Sequence, residues 1–254
     1  MNRRNFLAAT ALASAAGLAR NGVAGAPDPR RKIEAVAFDG FAIFDPRPIG
    51  AVADAVLPGK GTELMAAWRT RQFEYCWLRT LTRSYVDFWQ VTQDALAFAC
   101  ATLEVELTSA NRDRLMDAYL HLKPWPDVLA ALRNLRMAGV RMAFLTNFTA
   151  TMLDANIRAG GLEAFFEARL STDQVAAFKP DPRSYQMAVD YFGMPRAAIA
   201  FVAFGGWDAA GAKRFGFPVY WSNRLAQPAE ELGAAADRIA AGLETLPAFV
   251  AAGH

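Results

Sequence analysis

The sequence is poor in the residues on which histidine and cysteine chemistry depends. Its 254 residues include only two histidines, His121 and His254, and two cysteines, Cys76 and Cys100. A Ser-His-Asp triad or a His-rich metal site is therefore hard to build from this chain. Both cysteines lie in predicted helices among apolar neighbours, so we expect buried free thiols. An oxidising compartment would also permit a disulfide between them.

Strong net charge and long apolar runs are lacking as well. The net charge is only +2, and no basic stripe is interleaved with aromatic residues, which argues against nucleic-acid binding. The apolar run over 6–18 is too short to cross a bilayer, so we expect no membrane span in the mature chain. Arg3 and Arg4 precede this run. The pattern predicts that residues 1–26 are a cleaved export signal of the twin-arginine class, which would deliver the folded protein to the periplasm. A disordered Ala-rich tail is the alternative.

The remaining sequence alternates between strand and helix patterns. Short, nearly continuous apolar segments predict buried strands over 33–38, 140–146, 199–204 and 218–221. Helical patterns between them cover 127–138, 150–160, 182–192 and 207–215. This order predicts an α/β fold with a doubly wound parallel sheet.

A long helical segment separates the first predicted strand from the second. Helical patterns cover 62–83, 88–103 and 109–122, and the run Lys123-Pro124-Trp125-Pro126 then ends the last helix. We therefore predict a helical cap over 50–122, inserted after strand one into a core made of 33–49 and 123–248.

Polar residues stand where the predicted strands end. Asp39 ends the first strand, Thr146 and Asn147 end the second, and Asp208 follows the third. Lys179 lies in a loop before a predicted helix. Ligands bind outside the carboxyl ends of such strands, so these side chains are expected to converge in one crevice. Each alone has an ordinary explanation as a turn, cap or packing residue.

These segments resemble the four motifs of the haloacid dehalogenase-like superfamily. The matching segments are Phe38-Asp39, Leu145-Thr146-Asn147, Phe178-Lys179-Pro180-Asp181 and Trp207-Asp208. The resemblance implies that Asp39 is a nucleophile. Most members are magnesium-dependent phosphatases with a second Asp, a general acid/base, two residues after the nucleophile. Phe41 occupies that position here, and a phenyl ring cannot protonate a leaving oxygen.

The cap segment is similar to that of the L-2-haloacid dehalogenases, and the likeness extends from residue 33 to about 223. It rests on Trp68-Arg69, on the run Phe73-Glu74-Tyr75-Cys76-Trp77-Leu78-Arg79, and on Tyr85-Val86-Asp87-Phe88. This resemblance implies metal-independent hydrolysis of small L-2-haloacids to D-2-hydroxy acids, with no cofactor. It also implies a homodimer.

The resemblance further implies a role for each matching residue. Asp39 would form an ester with the halogen-bearing carbon, and Arg69 would receive the halide. Lys179 and Tyr185 would position the nucleophile, and Asp208 would hold or activate the hydrolytic water. The implied substrate-binding residues are Gly40, Phe41, Arg69, Phe73, Phe88, Thr146, Asn147 and Trp207. No residue is assigned to a metal.

Three positions depart from the dehalogenase pattern. Ile43, Ala203 and Gly205 stand where those enzymes usually carry Thr, Ser and Asn. Losing hydrogen bonds to charged groups, worth about 1.5–3 kcal/mol each, would slow the reaction or change its substrate. Two alternatives therefore stay open: a magnesium-dependent phosphatase or phosphonate-cleaving hydrolase of the same superfamily, and a non-catalytic exported protein that binds anions.

Overall fold

The computed structural model describes residues 32–253 of the chain. The predicted export signal over 1–26 and His254 lie outside the described residues. Within the described part, no helix is both long and apolar enough to cross a membrane.

A parallel six-stranded sheet forms the centre of the fold. Over residues 32–253 the strands are β1 (Ala35–Phe38), β2 (Phe44–Asp45), β3 (Lys123–Pro124), β4 (Arg141–Thr146), β5 (Ala168–Ser171), β6 (Ile199–Ala203), β7 (Val219–Ser222) and β8 (Arg238–Ala240). The sheet order is β5-β4-β1-β6-β7-β8, and every neighbouring pair is parallel. The predicted doubly wound α/β class is confirmed.

Ten α-helices are assigned over the same residues. They are α1 (Gly40–Ile43), α2 (Arg47–Val56), α3 (Gly61–Leu81), α4 (Phe88–Thr102), α5 (Ser109–Asp117), α6 (Val128–Met137), α7 (Ala150–Gly160), α8 (Pro182–Phe192), α9 (Gly206–Phe215) and α10 (Leu246–Ala252). Helices α2 to α5 lie between β2 and β3, which pair antiparallel where the chain leaves the sheet and returns to it. These four helices are called the cap.

The alternation of side chains along the central strand divides the core into two layers. In β1, Val36 and Phe38 join the apolar cluster that includes the cap helices, while Ala35 and Ala37 join the cluster under α8 and α9. All four residues are fully buried. Both faces of β1 are therefore covered, as its continuous apolar pattern predicted.

The helical region differs from its prediction at one helix end and agrees with it at the two cysteines. The structure ends the third predicted cap helix early: α5 stops at Asp117 and a 3-10 turn covers Ala118–Leu120. Cys76 and Cys100 are both buried and free, as expected.

Candidate functional site

The end of β1 places Asp39 at the centre of the site. Asp39 follows the strand directly and caps α1, with its Oδ2 accepting a hydrogen bond from the Phe41 amide at 2.9 Å. The side chain is almost fully buried. A carboxylate held at a helix N-terminus is stabilised by the helix amides, which fixes its orientation toward the cavity.

Lys179 joins Asp39 to a second buried carboxylate. Its Nζ donates to Asp39 Oδ1 at 2.7 Å and to Asp208 Oδ2 at 2.5 Å. Burial lowers the pKa of Lys179, but the charges of Asp208 and Asp39 outweigh burial and raise it overall. The ammonium therefore stays charged and neutralises part of the two acids, as buried charges require.

Tyr185 bonds the other oxygen of Asp208. Its hydroxyl donates to Asp208 Oδ1 at 2.7 Å. Burial raises the pKa of Asp208 to about 6; Lys179 opposes this, and the charge of Asp39 adds to it. A side chain at Gly211 would begin 2.6 Å from the Tyr185 hydroxyl oxygen, so this contact needs a glycine at position 211.

The end of β4 supplies Thr146 and Asn147. The Thr146 hydroxyl oxygen accepts from the Phe148 amide at 3.2 Å, and Asn147 Oδ1 accepts from the Lys179 amide at 3.2 Å. A Cβ on Gly40 would lie 2.9 Å from Thr146 Oγ1. Gly40, predicted to bind substrate, thus packs against Thr146 and lies outside the cavity lining.

One small cavity collects these groups between core and cap. Its free volume is about 20 Å³, enough for roughly one water molecule, so the lining side chains must move apart to admit a larger ligand. The lining residues are Asp39, Phe41, Arg69, Phe73, Phe88, Thr146, Asn147, Phe148, Phe204, Gly205, Trp207 and Asp208. Aromatic rings therefore dominate a cavity whose polar groups are concentrated at Asp39, Asp208, Arg69 and the β4 end.

Arg69 reaches this cavity from α3 in the cap. Its guanidinium lies 5.2 Å from the centre of the Phe204 ring. Among the described residues, no carboxylate forms an ion pair with it. Burial lowers the pKa of Arg69 despite the attraction of Asp39. The guanidinium remains charged, since an Arg pKa stays far above neutral, and it can accept an anion in the cavity.

The structure brings most of the predicted residues to the cavity and adds others. Lys179 and Tyr185 stand behind Asp39 and Asp208 and do not line it. Phe148 and Phe204, which the sequence reasoning missed, complete the aromatic wall. The sequence did contain a signal for them, because Phe148 directly follows Asn147 and Phe204 directly follows strand β6. Phe41 packs edge-on against Phe148, with ring centres 4.8 Å apart.

The departures from the dehalogenase pattern differ in where they lie. Ile43 and Ala203 are fully buried, whereas Gly205 lines the cavity. Over residues 32–253, no cluster of three or more His, Cys, Asp or Glu side chains is arranged to hold a metal.

Comparison with known proteins gives concordant matches over most of the chain. The profile of the haloacid dehalogenase-like hydrolases matches residues 8–216. The (S)-2-haloacid dehalogenase of Pseudomonas sp. (strain YL) is 42% identical over 206 residues, covering 81% of this chain and 89% of the relative. The solved L-2-haloacid dehalogenase RSc1362 aligns with a TM-score of 0.84 and 38% identity, over 86% of this chain and 99% of its own. The Xanthobacter autotrophicus L-2-haloacid dehalogenase with chloropropionic acid covalently bound aligns with a TM-score of 0.80 and 33% identity, over 86% and 98%.

Proposed function

The chain belongs to the haloacid dehalogenase-like hydrolases, and from this we propose that it hydrolyses L-2-haloacids to D-2-hydroxy acids through an ester on Asp39. One observation carries the proposal: Arg69 presents a guanidinium without a carboxylate partner, among the described residues, to the apolar cavity that Asp39 enters. A haloacid needs such a pair, because a nucleophile must attack carbon while a cation receives the departing halide.

The first step is displacement at the halogen-bearing carbon. A carboxylate oxygen of Asp39 bonds to C2, and the C2–halogen bond breaks with its electron pair leaving on the halide, toward Arg69. Attack from the opposite side inverts C2, which converts an L-acid into a D-product. Thr146 and the backbone of Asn147 hold the substrate carboxylate. The aromatic wall of Phe41, Phe73, Phe88 and Trp207 excludes water, which strengthens the electrostatic contacts.

The second step hydrolyses the ester. Water attacks the carbonyl carbon of Asp39, the bond between that carbon and the substrate oxygen breaks, and the 2-hydroxy acid leaves with one proton of the water. Asp208 accepts the other proton. Its raised pKa and its position beside Asp39, to which Lys179 links it, support this role. The buried Ile43 and Ala203 offer no hydroxyl to this water, so we expect hydrolysis to be slow and the ester to accumulate.

Halide release from the two enantiomers of 2-chloropropionate tests the proposal. With EDTA present, the full chain should release chloride from the L-form only, and Asp39→Asn should abolish release. Intact-mass analysis during turnover should show the chain plus one propionate unit. In ¹⁸O-water a single turnover should place the label in the Asp39 peptide, because water attacks the carbonyl carbon of that residue.

Two other outcomes would point to other functions. Release of phosphate from phosphate esters only when magnesium is added, with no halide released from any haloacid, would favour a phosphatase. Tight binding of haloacids without any turnover would favour an anion-binding protein. Either result would overturn the dehalogenase proposal.

We also propose that the protein is exported and acts in the periplasm. Arg3-Arg4 followed by Phe6-Leu7 and an Ala-rich run supports a twin-arginine signal. Replacing both arginines by lysine should leave the protein in the cytoplasmic fraction of the expressing cell, whereas the unchanged chain should reach the periplasm at a lower mass. Equal distribution of both proteins would contradict the proposal.

We further propose a homodimer formed through the cap. Leu78 and Leu81 on α3 and Phe98 on α4 are apolar but 51%, 79% and 39% exposed, which supports an interface there. Light scattering should give twice the chain mass, and Leu81→Glu should reduce it to one chain. A monomeric mass for the unchanged protein at micromolar concentration would refute the dimer.

A further inference from the structure

A large groove lies directly outside the small catalytic cavity. Its volume is about 500 Å³, against about 20 Å³ for the cavity. The two share the residues Arg69, Phe73, Gly205 and Trp207. The groove is therefore adjacent to the site that the proposed reaction uses, and these shared residues lie between the two spaces.

The partition between groove and cavity consists of Phe73, Gly205 and Trp207. Two of these residues are aromatic, and Gly205 contributes only backbone. A Cβ on Gly205 would lie 2.8 Å from Trp207 Nε1, so the indole rests against the bare backbone of that residue. On the other side, Trp207 packs against Phe73 and Trp77 of α3, with ring centres 5.2 and 5.5 Å away. The side chains of Phe73 and Trp207 therefore stand between the two spaces.

The groove beyond the partition is largely apolar. Its outer lining includes the apolar residues Trp77, Leu225, Pro228 and Ala229 and the polar residues Thr70, Gln227 and Glu230. Glu74 also lines it and is paired with Arg71 at 3.0 Å, whereas no basic side chain among the described residues pairs with Glu230. Arg69, the one cation of this lining, belongs to the inner cavity as well, so beyond the partition the two carboxylates disfavour an anionic occupant and the apolar walls favour a neutral one.

We propose that this groove binds the C2 substituent of the substrate, so that the preferred substrates are 2-haloacids with a neutral alkyl or aryl chain longer than methyl. The inference rests on the proposed dehalogenase function. In that reaction the carboxylate and the halide are anionic and stay with the donors of the inner cavity. The C2 substituent is the only remaining group, and the partition of Phe73, Gly205 and Trp207 is where it can leave the cavity.

A chain-length series on the full-length protein tests this subsite. We expect kcat/KM to rise about fourfold per methylene from L-2-bromopropionate through 2-bromobutanoate to 2-bromohexanoate, as each methylene is buried. Ala229→Trp fills the groove from an exposed position outside the catalytic cavity. It should lower kcat/KM for 2-bromohexanoate about tenfold or more and leave 2-bromopropionate within twofold. Ala251→Trp, on the exposed face of α10, is the matched control and should change neither.

The outcomes separate the subsite from the reaction itself. Turnover of 2-bromopropionate with a falling rate for longer acids would overturn the groove proposal and leave the dehalogenase function standing. No turnover of any acid would overturn the function first. Adding a terminal carboxylate, as in 2-bromoadipate against 2-bromohexanoate, should lower kcat/KM, and an equal or higher value would contradict the preference for a neutral chain.

Discussion

Lys179 Nζ lies 2.5 Å from Asp208 Oδ2, and the same ammonium bonds Asp39 at 2.7 Å. Lys179→Met should therefore lower kcat/KM roughly a thousandfold, because two charge-assisted bonds near the reacting atoms are lost. It should also lower the free energy of unfolding by about 3–5 kcal/mol, since two buried acids lose their counter-ion.

A surface pair of the same kind provides the control for this variant. Lys213 Nζ bonds Asp237 at the same 2.5 Å but is 36% exposed. Lys213→Met should cost less than about 1 kcal/mol and leave activity unchanged. Denaturant titration and halide-release kinetics measure both effects, and equal losses in the two variants would show that burial of Lys179 is unimportant.

Arg69 and Arg71 offer a matched pair on one helix. Arg69 enters the catalytic cavity, whereas Arg71 pairs with Glu74 and stacks on Phe98 at 3.8 Å. Arg69→Lys should reduce kcat/KM by about a hundredfold, because a lysine cannot reproduce the planar donor fork. It should also weaken product inhibition by added bromide. Arg71→Lys should leave both quantities within twofold, and similar losses in both variants would exclude a direct role for Arg69 with the halide.

The pH dependence of ester hydrolysis should follow the ionisation of Asp208. Its pKa is raised to about 6, and only the ionised form can accept a proton from water. The rate of ester hydrolysis should therefore rise with pH through about 6 and level off above it. The substrate carboxyl, acidified by its halogen, stays ionised throughout this range.

Tyr185→Phe should move that inflection to higher pH. The Tyr185 hydroxyl bonds Asp208 Oδ1 at 2.7 Å and lowers the pKa of Asp208. Removing the hydroxyl should raise the pH of the inflection by about one pH unit. A profile that keeps its midpoint while only its height falls would show that Tyr185 acts through packing alone.

The sequence predicted the central strands better than the edges of the sheet. β1, β4 and β6 are buried on both faces and read as apolar runs. β5 and β8 escaped prediction because they are short and partly exposed, with Arg169 and Arg238 interrupting the apolar pattern. α2 was missed although Pro48 stands in its first turn, a common helix start.

The predicted strand ends indicated which side chains would meet in the site. They did not indicate which hydrogen bonds those side chains would form. Asp39, Thr146 and Asp208 could be placed at one edge of the sheet because parallel strands end together. That Lys179 would bond both acids depends on side-chain geometry, which no spacing encodes. The same holds for Gly40, whose packing against Thr146 reflects a tertiary contact.

Asn156 stabilises the return of the chain from the cap to the core. Its fully buried amide accepts from the Leu122 amide at 2.8 Å and donates to the carbonyls of Tyr119 and Met152 at 2.8 and 2.9 Å. Asn156→Ala should lower the free energy of unfolding by about 2–4 kcal/mol, since buried backbone groups lose their partner.

The midpoint of thermal unfolding should fall by roughly 5–15 °C in Asn156→Ala. Well below that temperature kcat/KM should stay within twofold, because Asn156 does not line the catalytic cavity. Asn134→Ala, on the exposed face of α6, should change the free energy of unfolding by less than about 0.5 kcal/mol. Calorimetry on both variants distinguishes the two positions. An unchanged midpoint for Asn156→Ala would mean that water replaces the amide at the junction of cap and core, so that these three bonds add no net stability.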